Sequence, residues 1–245
     1  MKLKSHYIIL ATIGVILSAC SLDNYSAPGF SFTGRIVYQG VPIDVQNSAG
    51  SNIDNANIYF YLYEPGWKKS GMPIKTVVSQ DGSFSSLLFP DTYKLVMPAG
   101  VGPYMASSDT TTIIIKGNKT MDIEVTPYYM IQNPVFSMST DSIVSATFNL
   151  QQIITDANAK TVQAVYLYIN RLLITDGSNN IASIQLNGSD IVNMNGINLS
   201  AKMPSLASLG LGISTKQTYI FARIGVQITG ISGMLFSPVQ KITIP

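Results

Sequence analysis

Histidine is all but missing from this chain: the single copy, His6, lies within the first ten residues. Histidine is the usual general base near neutral pH and the commonest metal ligand. Beyond position 6, a Ser-His-Asp triad, a Cys-His dyad and a histidine-based zinc site are therefore excluded. Cysteine also occurs once, at Cys20, so disulfide and thiolate-metal readings have no second partner. Glutamate is nearly as scarce, with Glu64 and Glu124 alone, which leaves little material for the paired carboxylates of a glycoside hydrolase. Charged residues make up only 11% of the chain, too few for a strongly basic or acidic surface. The one apolar run at the N-terminus, 7–17, is too short to span a bilayer comfortably.

That run instead has the layout of a secretory signal peptide over residues 1–19. A basic start (Lys2, Lys4) precedes the apolar stretch, and small residues follow it. The closing tetrapeptide Leu17-Ser18-Ala19-Cys20 resembles the lipobox of bacterial lipoproteins. The resemblance implies cleavage before Cys20 and acylation of that residue on its thiol and α-amine, and two or more acyl chains hold a protein stably on a membrane. Loss of Lys2 and Lys4 takes the basic total from 15 to 13, level with the 13 acids. A balance near zero supplies no electrostatic reason to bind nucleic acid.

The rest reads as all-β. Short alternating runs bounded by Gly, Pro, Asn and Asp recur about every ten residues, the pattern of sandwich folds. Residues 20–33 read as a lipidated tether, 34–127 as a first sandwich and 128–245 as a second. In the first, a strand begins near Phe32, and 39–52 reads as a loop. Along 57–63, alternation sends Ile58, Phe60 and Leu62 inward and leaves Tyr59, Tyr61 and Tyr63 as a row on the other face. Asp81-Gly82 marks a hairpin between 74–79 and 83–88. A second hairpin is expected between 111–115 and 120–125. In the second module the best strands are 143–151, 162–170, 181–186, 219–228 and 239–244, and 206–213 is ambiguous with a short helical turn.

Candidate functional residues are few. Trp67, flanked by Lys68 in a Gly-bounded loop, is a candidate platform on which a sugar ring would stack, and Tyr104 in the 98–110 loop is a second. The competing reading is that such rings plug the sandwich or its interface. Tyr128 and Tyr129 stand at the domain boundary, as pocket walls or as interface cement. Asp81, Asp91 and Asp176 are sufficiently explained as turn residues. No cofactor, metal site or catalytic set is implied, and the expectation is a protein that is not an enzyme.

Two resemblances sharpen this. Gly34-Arg35-Ile36-Val37, the strand to Tyr63, Asp81-Gly82-Ser83-Phe84 and Phe89-Pro90-Asp91-Thr92-Tyr93-Lys94-Leu95 resemble the carboxypeptidase-regulatory, transthyretin-like sandwich, with Asp91 where that pattern usually has glycine. Adding Cys20-Ser21-Leu22-Asp23-Asn24-Tyr25, Tyr63-Glu64-Pro65-Gly66-Trp67, Lys116-Gly117-Asn118-Lys119-Thr120 and Val125-Thr126-Pro127-Tyr128, the chain resembles Bacteroidetes lipoproteins grouped as domain-of-unknown-function family 3823. Thr218 to Gly225 and Phe236-Ser237-Pro238-Val239 fit the end of its second, immunoglobulin- or fibronectin-like sandwich. That resemblance implies an outer-membrane lipoprotein, facing the cell surface or the periplasm. Its implied role is beside a Sus-type transporter and its substrate-binding lipoprotein, binding oligosaccharide or scaffolding the complex. A purely structural subunit, a pilus-like or adhesin component and a glycosidase are the rivals. Asp109-Thr110-Thr111 and Asp141-Ser142-Ile143 further resemble the Bacteroidetes O-glycosylation sequon, which implies Thr110 and Ser142 as acceptors.

Overall fold

The computed structural model describes residues 27–46, 58–64, 72–106, 110–212 and 217–245. The first module holds β1 (Phe30–Tyr38), β2 (Val41–Pro42), β3 (Asp44–Val45), β4 (Tyr59–Tyr63), β5 (Ile74–Val77), β6 (Ser83–Leu88), β7 (Thr92–Val96), β8 (Thr111–Ile114), β9 (Lys119–Thr120) and β10 (Ile123–Glu124). The second holds β11 (Tyr129–Met138), β12 (Ile143–Gln152), β13 (Val162–Asn170), β14 (Ala182–Asn187), β15 (Ile197–Lys202), β16 (Tyr219–Ile228), β17 (Leu235–Phe236) and β18 (Gln240–Thr243). The first strand starts at Phe30, four residues inside the segment read as tether.

In the first module β1 is the hub of one sheet, pairing with β6 and β2 antiparallel and with β9 and β10 in parallel. The facing sheet runs β5-β4-β7-β8. Alternation along β4 works as expected: Ile58, Phe60 and Leu62 are fully buried, and the ring of Phe60 meets Phe84 of the opposite sheet at 5.0 Å. The Tyr93 hydroxyl donates to the Phe89 carbonyl (3.1 Å), tying down the corner before β7.

Both expected hairpins are corrected. The Asp81-Gly82 turn is present, with Asp81 Oδ1 accepting from the Ser83 N–H and hydroxyl. After a single bridge, Val78 to Phe84, its two strands part into different sheets. Likewise β8 stays with β7, while the following residues cross over to β1. The free edge of β1 supplies the reason. The Ser31 N–H donates to Asn118 Oδ1, the Arg35 N–H to Asp122 Oδ1, and the Met121 N–H to the Thr33 carbonyl. Gly34 lets that crossover close, since a Cβ there would lie 1.9 Å from the Met121 carbonyl oxygen.

The second module packs the sheet β11-β12-β15 against β14-β13-β16-β17 with β18 on β16. Its core is the inward face of β12 (Val144, Ala146, Phe148, Leu150) against β13 and β16. Residues 206–210 form a turn, in which the Leu209 N–H donates to the Ser205 carbonyl and the Gly210 N–H to the Ala207 carbonyl.

The modules are not beads on a string. Strand β3, from within the presumed 39–52 loop, pairs with β17 (Asp44 with Phe236, Val45 with Leu235) and so completes the second module's large sheet. The Gln46 N–H donates to the Met234 carbonyl, and at a second bridge, Val101 with Ser232, the Gly102 N–H donates to the Ser232 carbonyl and the Ser232 N–H to the Gly100 carbonyl.

Candidate functional site

A groove of about 470 Å³ opens along this seam. One wall is the β1–β2 hairpin with β3; the other is β11 with Gln151 and Ile153, and β17 with Ser237 and Pro238 close it. The volume falls within the ~300–1,000 Å³ typical of small-ligand sites, and domain junctions are where such sites tend to lie.

Two irregular pieces of backbone shape the walls. The hairpin turn Gln39-Gly40 has positive φ at both residues (52° and 75°), the geometry of a type I′ turn. Gln39 is an unusual residue there, and Asn or Gly would adopt it with less strain. Its N–H is held by Glu124 Oε1 and its side-chain amide donates to the Tyr38 hydroxyl (3.2 Å). Opposite, the β11–β12 ladder shifts register between Gln132 and Val135, with Asn133 left-handed (φ 50°). Bulges of this kind turn side chains out of a ladder and are common beside functional sites. The Gln132 amide donates to Gln151 Oε1 (3.2 Å) on the neighbouring strand.

Under the groove runs a buried polar chain joining the modules. Arg223 on β16, 3% exposed, pairs with Asp44 Oδ2 at 3.1 Å and donates to Gln80 Oε1 at 2.8 Å. Gln80 in turn donates to Asp176 Oδ2 (2.8 Å), whose other oxygen accepts the Ser178 and Asn179 N–H groups. The Phe236 ring lies 4.9 Å from the guanidinium carbon, and Arg223 Nε has no acceptor among the described residues. Burial pushes the Asp44 carboxyl up despite the attraction of Arg223, and burial pulls Arg223 down.

Most residues singled out from sequence lie elsewhere. Cys20, Trp67 and Lys68 fall outside the described residues. Tyr104 is corrected: at 1% exposure its ring is an interior plug, not a surface platform. Gly102, at φ 82°, makes room for it, because a Cβ there would meet the ring at 2.5 Å. The Tyr104 hydroxyl has no partner among the described residues, and burial raises its pKa. Tyr128 and Tyr129 are both buried; the Tyr128 N–H donates to the Pro103 carbonyl across the boundary, whereas the Tyr129 hydroxyl donates to the Lys160 carbonyl (2.9 Å) within the second module. Thr110 is exposed just before β8, and Ser142 is half-buried in the β11–β12 turn with φ 62°.

The two glutamates serve different strands. Glu124 caps the Gln39 turn, whereas Glu64 follows β4, its carboxyl raised by burial and by the neighbouring Asp91. The tyrosine row on β4 faces outward as expected. Its rings meet edge to face, at 5.1 and 6.1 Å, so they form a ridge and not one flat platform.

Sequence reasoning missed the groove itself. The return strand β2 is two residues long and contains proline, β3 is equally short, and the bulged strand starts right at the domain boundary. The one available signal was the apolar alternation of Val41, Ile43 and Val45.

Comparison with known families assigns this two-module build. Residues 30–126 match the N-terminal domain of the protein family of unknown function DUF3823, and 129–241 match DUF3823_C. The chain belongs to the DUF3823 family. A DUF3823 crystal structure from Parabacteroides merdae is 29% identical, with a TM-score of 0.74 over 89% of this chain and 100% of that one. One from Bacteroides ovatus is 24% identical, with a TM-score of 0.70 over the same shares. A structure from Bacteroides uniformis described as a "putative carbohydrate binding protein" is 15% identical, with a TM-score of 0.63, again over 89% and 100%. No curated protein matches the chain. The chain thus shares its all-β, two-module fold with these relatives.

Proposed function

We propose that this DUF3823 protein is a non-catalytic, lipid-anchored accessory of a Sus-type nutrient uptake system in the outer membrane, facing outward and taking up oligosaccharide in the groove between its modules. The observation that carries this reading is the groove's construction: a concave, mixed polar and apolar site at the seam where one module's strand completes the other's sheet. The description of the Bacteroides uniformis relative as carbohydrate binding points the same way. The Leu17-Ser18-Ala19-Cys20 tetrapeptide supports the anchor. Glu64 and Glu124, each committed to its own strand environment, support the non-catalytic part.

The test is a pull-down from detergent-solubilised outer membranes with Cys20 intact, read by mass spectrometry beside a Cys20→Ser control. The reading expects a transporter barrel and its substrate-binding lipoprotein to co-purify, and the Cys20→Ser chain to leave the membrane fraction. Recovery of the protein alone, or a Cys20→Ser chain that stays membrane-bound, would contradict it.

A further inference from the structure

The groove's chemistry carries a narrower statement, which rests on the glycan reading above. We infer that the groove selects uncharged oligosaccharides and rejects uronic-acid and sulfated ones.

Charge decides first. Among the described residues the lining holds no lysine or arginine, and its single ionisable acid is Asp44. Asp44 is already paired with Arg223, which is buried beneath the lining and is not itself part of it. A second acid, Glu124, stands behind the hairpin turn at the groove's lip, holding the Gln39 N–H. An anionic ligand would lose water here and find no lysine or arginine in the lining to compensate it. Sites built for carboxylates or sulfates use arginine forks or clusters of N–H donors instead.

Hydrogen-bond polarity decides second. Pro42, Pro134 and Pro238 line the groove. Proline has no N–H, so these wall positions offer carbonyl acceptors only. The remaining polar lining is dominated by the amides of Gln39, Gln132 and Gln151. Each amide both donates and accepts. Sugar hydroxyls do the same, and they supply the donors that an acceptor-rich wall needs. A carboxylate or sulfate supplies acceptors only. The amides are also braced: Gln132 on Gln151, and Gln39 on Tyr38. A ligand therefore meets them already oriented, which reduces the ordering cost of binding.

The experiment uses the mature chain, residues 20–245 with Cys20→Ser, titrated calorimetrically with two matched panels. One holds neutral gluco-, galacto-, manno- and xylo-oligosaccharides; the other holds oligouronates and sulfated oligosaccharides of the same lengths. Each is repeated on Gln132→Ala/Gln151→Ala and on Gln132→Lys, with melting curves to verify folding. The expected result is binding to at least one neutral series and at least about tenfold weaker binding to every acidic one. The double alanine variant is expected to lose about tenfold on the neutral ligand, and Gln132→Lys to gain acidic binding. Acidic oligosaccharides that bind the unaltered chain as well as neutral ones would overturn the selectivity while leaving the glycan reading standing. If neither panel binds, or an unstructured peptide binds in their place, the glycan reading itself falls.

Discussion

Arg223 on the second module's central strand pairs with Asp44 of the first module at 3.1 Å, under the floor of the inter-domain groove. With Gln80 and Asp176 it forms a polar chain that crosses the seam and has few alternatives in water. A buried pair of this kind contributes little net stability, but removing one member leaves the other uncompensated. Arg223→Met is expected to cost about 3–5 kcal/mol in urea denaturation. Adding Asp44→Leu to Arg223→Met should recover much of that loss. A single-variant cost below about 0.5 kcal/mol would show that the pair is not desolvated as described.

Strand β3 completes the second module's sheet, so neither module's boundary is a natural breaking point. The chain is expected to melt in one calorimetric transition with matching van't Hoff and calorimetric enthalpies. A version cut to 129–245 loses the partner of Leu235 and Phe236, which are buried in the whole chain, and should aggregate or melt well below it. Two resolved transitions in the intact chain would refute the shared-sheet account.

Gln39 occupies a left-handed turn position that suits Asn or Gly better. Gln39→Asn is expected to stabilise the fold by about 0.5–1 kcal/mol, since left-handed backbone costs an ordinary residue roughly 1–2 kcal/mol. The shorter side chain no longer reaches Tyr38, so the same variant should bind neutral oligosaccharide more weakly. Gain of stability with loss of binding is the pattern of a residue retained for its site. Unchanged binding would remove Gln39 from the groove's working surface.

Tyr93 is pushed up to about 12, first by burial and then by the nearby carboxylates of Glu64 and Asp91. Its ordinary value is 10, so its contribution to stability is complete below pH 10. As pH rises from 10 to 12 the unfolded chain releases this proton while the folded chain keeps it, and stability falls. Tyr104 and Tyr168 move in the same direction, again through burial. Denaturation midpoints are expected to drop across this window, and less steeply in Tyr93→Phe, which also forfeits about 1 kcal/mol of hydrogen bonding to Phe89. Equal slopes would place Tyr93 in water.

Alternating burial made much of the fold readable. Ile58, Phe60 and Leu62 announce β4, whereas β16 alternates only at its ends and is buried on both faces from Ala222 to Val226, between three neighbours. What sequence hid was partner choice. Asp81-Gly82 marks a turn correctly, but a turn does not dictate whether the flanking strands stay together, and here Phe84 and Val78 face each other from different sheets. Strand β15 has perfect alternation, yet its residues Asn198 and Ser200 are polar enough to pass for a loop. The site was hidden for a deeper reason: it is made where Gln39, Gln132 and Gln151 converge, and glutamines carry no local signature of convergence. Tyr104 misled in the opposite sense, because Gly100 and Gly102 look like an exposed loop while they serve to fold it inward onto Ser232.

Hydrogen exchange of the mature chain, with and without saturating neutral oligosaccharide, tests the central claim most directly. The account predicts protection over 38–44, 130–134 and 235–238, which meet only at the seam. Protection confined to the outward ridge of Tyr59, Tyr61 and Tyr63, with those three segments unchanged, would contradict it.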